Sequence, residues 1–503
     1  MSDSAGFLLD PHAGVLDELL RRAAGEGLYL IARAVDRRAQ SVSVVNGRTE
    51  EVASSSNLGL GLSVFTAEGT CAFGAVDGLA PSDALVTFRR TADTARVAAR
   101  MEATPTTAFL SATPNRSRIP QAGRRSFQSV RIPEAETRAR GLDEEMRGRF
   151  PGLSTRTSLS FEREEWRVVR SDGTQAAWAV TRFVSSQAMT AAGSDGEDGS
   201  FTCRATLSSP HFDALEDDSA RRVLQLRAEG AARRALALPA AGRFSSAGPV
   251  PLLIDYALAK GLAHEAFGHA AEADSFRSSV LARDGRFRRG ERVGRDGVSV
   301  IDEPLRGDHA DQPISANGQP RRRVEIVRSG VLHDALTDLF AADGVGGASN
   351  GCERAQSYRH PPIPRMSNIR IELENARPLA APFEEMGPEE IRRLVGDAGL
   401  LDRYPRVVYL SGYTGGQVNP VRGDFLFNCQ ALYELTGRSV TLHRPSAFRG
   451  SILGALASLA DGFGPLHLDA IGTCGKWGQS VPSSGGSHAF VLLEPNPNVG
   501  VGA

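Results

Sequence analysis

Lysine is nearly absent from this 503-residue chain: Lys260 and Lys476 are the only two, so almost all of the 58 basic residues are Arg. Codon preference accounts for the bulk of that bias. The two lysines nevertheless fall beside the two motifs described below, where a compact ammonium can serve better than a planar fork; with two cases, coincidence is the better explanation. Cysteine is scarce too. Cys71, Cys203, Cys352, Cys429 and Cys474 are odd in number and widely scattered, which argues against a disulfide frame and for free or metal-bound thiols in a reducing compartment. Net charge is −1, so no bulk field points toward nucleic acid or an acidic membrane. No uninterrupted apolar run reaches the roughly 20 residues that span a bilayer. The opening Met-Ser-Asp-Ser-Ala-Gly lacks the charged region and apolar core of a secretory leader. The expectation is a cytoplasmic protein with neither a nucleic-acid nor a membrane partner.

What remains is an ordinary globular balance, 41% hydrophobic and 23% charged, long enough for about two to four domain-sized units. Apolar periodicity predicts helices over 15–24, 81–101, 134–149 and 217–238. Short β-type runs at 28–35, 41–46, 61–65 and 71–75 suggest an antiparallel meander. A hairpin at 158–169 and 176–188 is predicted around Ser171-Asp172-Gly173, and a turn at 194–199. Residues 103–133, rich in Thr, Pro, Ser and Arg, read as a long exposed loop. In the second half, strands are expected at 299–301, 321–327, 331–335, 369–373, 407–410, 423–428 and 439–442, and short helices at 388–396 and 446–459. The predicted class is α+β: an N-terminal α/β domain (1–240) with an antiparallel sheet and helices, then a β-rich C-terminal domain (241–503).

Residues 264–274 read His-Glu-Ala-Phe-Gly-His-Ala-Ala-Glu-Ala-Asp. The run before them, 249–263, holds Leu252, Leu253, Ile254, Tyr256, Ala257 and Leu262 and predicts a buried helix leading into the motif. Two His with a Glu directly after the first is how a helix offers neutral nitrogen ligands and a base to a water on zinc. The spacing is unusual. Residues four apart in a regular helix lie about 40° apart around the axis, and residues five apart about 140°. His264 and His269 are five apart, so a straight helix turns one of them away. A π-type widening or a break brings them together, and Gly268 lowers the cost of that distortion. The bland alternative is a buried amphipathic helix whose histidines only hydrogen-bond. Glu272, three after His269, is spaced to orient that ring; a surface glutamate fits the spacing equally.

Near the far end stands Gly-Thr-Cys-Gly-Lys-Trp-Gly-Gln-Ser-Val-Pro at 472–482. A cysteine in so Gly-rich a segment can approach a metal closely, and zinc accepts a thiolate readily. A neighbouring Lys or cation lowers the thiol pKa. The plain alternative for Cys474 is a small buried hydrophobe.

His-Glu-x-x-x-His followed far downstream by Gly-Thr-Cys-Gly-Lys-x-Gly-Gln-Ser-Val-Pro resembles the TldD/PmbA metallopeptidases, in their catalytic TldD branch. Residues 59–74 resemble that family's N-terminal meander. Residues 356–368 resemble its central Gln-Ser-Tyr-x-His-x-Pro-x-Pro-Arg-Met-x-Asn block, and 415–427 its Gly-Gly-x-Val-x-Pro-x-x-Gly-x-Phe-x-Phe segment. The resemblance implies one Zn²⁺ per subunit held by His264, His269 and Cys474, with Glu265 as catalytic base. It also implies a two-domain α+β fold and a dimer, either a homodimer or a heterodimer with a TldE/PmbA-like paralogue. Tyr358, His360 and Lys476 are further candidates for contact with substrate or ligands. The function so implied is zinc-dependent cleavage of small or unfolded peptides. One rival is a TldD-like enzyme acting on a small peptide-derived metabolite without simple proteolysis, told apart by products with retained bonds. A second is a cysteine hydrolase with Cys474 as nucleophile, told apart by covalent acylation and indifference to chelators.

Overall fold

The structure, a computed structural model, describes residues 6–101, 112–193, 199–245, 248–341 and 349–502. Seven strands in the first half form one sheet among the described residues: β1 (Tyr29–Val45), β2 (Arg48–Phe65), β3 (Cys71–Asp77), β4 (Arg118–Ile119), β5 (Ser154–Arg170), β6 (Gln175–Ala192) and β7 (Ser200–Ser209). Their spatial order is β3-β2-β1-β5-β6-β4, with β7 on β6. Helices α1 (Ala13–Gly25) and α2 (Pro81–Arg100) bury Leu16, Leu19, Phe88 and Ala92 against Leu30, Ala32, Leu60 and Leu62 of the sheet. Helices α3 (Ile132–Arg149) and α4 (Asp218–Ala237) cover other parts of it.

The second half carries a sheet of thirteen strands among the described residues. At its centre lies β8 (Leu252–Asp255), parallel to the strand Val407–Asn419 and antiparallel to the strand Gln479–Leu493. All four of its residues are buried. The class is α+β, as expected. No described helix is long and apolar enough to cross a membrane.

Several expectations change. The run 249–263 is not one helix: Leu252–Asp255 is a strand, and helix α5 covers only Tyr256–Leu262. A short apolar run buried on both faces has no periodicity to separate strand from helix. Asp255 makes the corner, accepting from Leu258 N at 2.9 Å as helix cap and from Gly412 N at 2.6 Å. The runs 28–35 and 41–46 are one strand, because the polar stretch between them is carried across by ion pairs such as Arg37–Glu162. Of the expected exposed loop 103–133, residues 103–111 lie outside the described residues, as do 194–198 of the expected turn. The described remainder is partly buried: Asn115 and Phe127 are inside, Phe127 packing edge-on against Phe212. The expected helix 446–459 is a strand, Ala447–Ser451, followed by a helix, Ile452–Ser458.

Candidate metal centre

Helix α5 runs directly into a π-helical turn, Ala263–Gly268, and a last short α-turn (α6, His269–Ala271). The wider turn absorbs the five-residue spacing, and the rings of His264 and His269 stand edge to face with centroids 5.0 Å apart. Gly268 is needed here for a different reason from the one expected. Its φ is −64°, ordinary helix, so conformational freedom is not used. A Cβ at 268 would lie 1.8 Å from Met366 Sδ and 2.9 Å from Ile369 Cδ1; the glycine lets the neighbouring chain close over the turn.

Cys474 comes from the opposite side. It sits in the strand Gly472–Lys476, which pairs as a hairpin with the strand Gln479–Leu493. Its Sγ is 3.6 Å from His269 Nε2. One ligand atom each from His264, His269 and Cys474 falls within 4.8 Å of the others, and this is the one such trio of His, Cys, Asp or Glu among the described residues. His264 is buried, yet neither ring nitrogen has a hydrogen-bond partner among the described residues. An orphaned buried nitrogen costs about 1–3 kcal/mol, and a cation between two imidazoles and a thiolate relieves that cost at the one His264 nitrogen it takes. Two nitrogens and a sulfur at this separation fit Zn²⁺.

His269 is held differently. Its Nδ1 lies 2.9 Å from Glu272 Oε2, and Lys476 Nζ donates to the same oxygen at 2.8 Å and to Asp274 Oδ1 at 2.7 Å. Such a carboxylate fixes a ring's tautomer and direction. Burial works against charge at His269, but Glu272 and the Cys474 sulfur outweigh it and hold the imidazole well above its usual value. At His264 burial, with the charges of Lys260 and His269, holds the ring well below it. Burial opposes the Cys474 thiolate, yet His269 and Arg365 pull the thiol below its usual value. Arg365 Nη2 also donates to the carbonyl oxygen of Cys474. Glu265 Oε2 is 4.0 Å from His269 Nε2. Burial pushes its carboxyl up, against the pull of His269 and Lys260.

Of these groups Glu265, His269, Glu272, Asp274 and Lys476 face a cavity of about 1340 Å³ lined from both sheets, while His264 and Cys474 are buried and are not part of its lining. Lys260, Glu265, His269 and Glu272 line it, together with Tyr413 and the Gly415–Gly416 stretch of the strand Val407–Asn419; Thr202 and Arg204 of β7 and Arg227 of α4 form the far wall. Lys260, like Asp274 and Tyr413, lines the cavity although sequence reasoning gave it no role; its one signal was the rarity of lysine. Tyr358 and His360 do not line the cavity. Tyr358 is buried at the seam between the halves, its ring against Gly59 and its hydroxyl donating to Asp77 Oδ1 at 2.7 Å. His360 Nδ1 pairs locally with Ser357 Oγ at 3.0 Å. Both therefore brace the Pro-rich segment.

Family models described as the PmbA/TldA metallopeptidase central domain and C-terminal domain match residues 125–238 and 247–464, the second ending ahead of Cys474. The chain is 29% identical over 364 residues to a metalloprotease of Methanothermobacter thermautotrophicus, spanning 72% of this chain and 73% of that one. It is 28% identical over 258 residues to the zinc metalloprotease TldD homolog of Saccharolobus solfataricus, about half of each chain (50% and 52%). The crystal structure of TldE from Thermococcus kodakarensis matches with a TM-score of 0.70 at 14% identity, over 97% of this chain and all of that one. At that identity the likeness is one of fold.

Proposed function

This chain belongs to the PmbA/TldD metallopeptidase family, and from that premise we propose that it hydrolyses peptide bonds in small or unfolded peptides, with Zn²⁺ held by His264, His269 and Cys474 and Glu265 as general base. When bound, the zinc supplies a Lewis acid that polarises the scissile carbonyl and acidifies water. The remaining steps belong to the chain's own groups. Glu265, at the cavity floor, takes a proton from the attacking water and returns it to the leaving nitrogen. The upward push of burial on its carboxyl suits a base that must later act as an acid. Glu272, clamped by Lys476, keeps His269 in one orientation while the substrate changes charge. The open stretch of the strand Val407–Asn419 beyond its short pairing with β8 offers backbone groups to an extended peptide.

The observation that carries the reading is the pair of orphaned His264 nitrogens beside His269 and Cys474. We infer likewise that the chain works as a dimer, with itself or a TldE-like paralogue; light scattering of the chain alone and with such a paralogue tests this. For the activity, the zinc-loaded protein is incubated with a mixed peptide library and the products are weighed by mass spectrometry. Cleavage that a chelator stops and zinc restores supports the proposal. Products with every amide intact, or cleavage unaffected by chelation, contradict it.

A further inference from the structure

Lys260 is a buried ammonium with no carboxylate within ion-pair distance among the described residues. Its Nζ donates to Ser483 Oγ at 3.0 Å, which leaves two of its three N–H groups free to serve another acceptor. It lies four residues before His264, one helical turn away on the same side, and it lines the cavity beside Glu265 and His269. Two contacts fix where the ammonium sits. A Cβ built on Gly472 would come within 2.9 Å of Nζ, and Gly472 is paired with Ser483 across the hairpin. Residues 472 and 474 share one face of their strand, about 7 Å apart along it. The ammonium therefore occupies the space of the absent 472 side chain, on the Cys474 side of the hairpin.

A peptide carbonyl presented to the trio from the cavity meets this region. Burial pulls the Lys260 ammonium below its usual value, and the charges of Cys474, Glu265 and Asp308 that face it push back; none of the three is hydrogen-bonded to it among the described residues. We propose that Lys260 is a catalytic residue of this chain, donating from Nζ to the scissile carbonyl oxygen as that oxygen gains negative charge. The proposal rests on the peptidase reading above. In that reaction the water oxygen adds to the carbonyl carbon and Glu265 accepts the water proton. The C–N bond then breaks and the proton passes to the departing nitrogen, while Lys260 keeps its own proton throughout. A preorganised donor in a dry site stabilises such an oxyanion strongly, and here Ser483 supplies the preorganisation.

The test compares zinc-loaded wild type with Lys260→Met, which keeps length and removes the charge. Zinc per chain, the affinity for a phosphinic tripeptide (a stable oxyanion mimic) and the kcat and KM for one peptide in C-terminally amidated and free-carboxyl forms are measured. Lys260→Met is expected to keep wild-type zinc and KM. Its kcat, and its phosphinate affinity, should each fall by about 10²–10³-fold. Unchanged phosphinate affinity overturns the proposal. So does a loss confined to peptides with a free carboxyl terminus, which would make Lys260 an anchor for that group, or a loss of zinc that accounts for the whole kinetic effect. Should Lys260→Met not fold, Ser483→Ala frees the ammonium from its tether. A smaller loss of phosphinate affinity at full zinc supports the assignment, and none contradicts it. Phosphinate binding needs no turnover. Wild type that cleaves nothing defeats the peptidase reading, whereas equal phosphinate affinity in wild type and variant defeats this inference.

Discussion

In the first sheet, Arg37 meets Glu162, Arg163 meets Glu165 at 2.6 Å, and Arg182 reaches both Glu162 and Glu164 at 2.7 and 2.8 Å. Around the trio in the second half, Lys260, Arg354 and Arg365 are buried with no carboxylate within ion-pair distance among the described residues. Arg354 is spent on Gln312 and two backbone carbonyls, and Arg365 on the carbonyl of Cys474, with its Nε and Nη1 unpartnered. Matched charges in the first sheet hold strands in register. Burial first, then the unmatched positive charge, holds the His264 imidazole down, and His269 with Arg365 pulls the Cys474 thiol down, toward the forms that bind a metal. The two regions thus use the same residue types, one to build a sheet and the other to prepare a site.

The sharpest way to break this contrast is at the base. Glu265→Gln should leave zinc content and melting temperature near wild type and lower kcat by about 10²–10⁴-fold. Steady-state kinetics with metal analysis checks it, and surviving turnover removes Glu265 from its role. The matched region should answer in the opposite way. Arg182→Met leaves buried Glu164 without its ion-pair partner and Glu162 with Arg37 alone, and should cost about 3–5 kcal/mol of stability while zinc per chain stays constant, as read by chemical denaturation and metal analysis. Between these lies Glu272→Gln, which unclamps His269 and should weaken zinc binding by about 10–100-fold, measured by competition with a chromophoric chelator.

The smallest effect concerns Glu353, buried at the seam between the halves. Burial first, then the charge of Asp338, pushes its carboxyl up. Its folded value exceeds its unfolded one, so its stabilising contribution is complete at low pH and is lost as pH rises through the raised value. Glu353→Gln removes that loss. The variant should melt with wild type at about pH 4, below the unfolded value, and about 2–4 °C above it at about pH 8.

The widened helix turn was legible in the sequence because only a distortion reconciles His264 and His269 with one centre. The class and most helices followed from periodicity. What escaped was set by partners distant in sequence. Leu252–Asp255 gains its strand neighbours from residues more than 150 positions away. Tyr358 is claimed by Gly59 and Asp77 of the first sheet, which its own Pro-rich surroundings do not announce. Gly268 was singled out correctly but for flexibility, whereas the close approach of Met366 explains it. Lys260 carried a signal in composition alone; its meaning depends on Gly472 and Ser483, more than 200 residues downstream.

The central claim is that one cation joins a thiolate from the C-terminal hairpin to two imidazoles of the widened turn. Cobalt substitution reads it directly. The protein should take up one Co²⁺ per chain and show a sulfur-to-cobalt charge-transfer band in the near ultraviolet that disappears in Cys474→Ser. A cobalt-loaded protein without that band, or with the band intact in Cys474→Ser, would contradict the account.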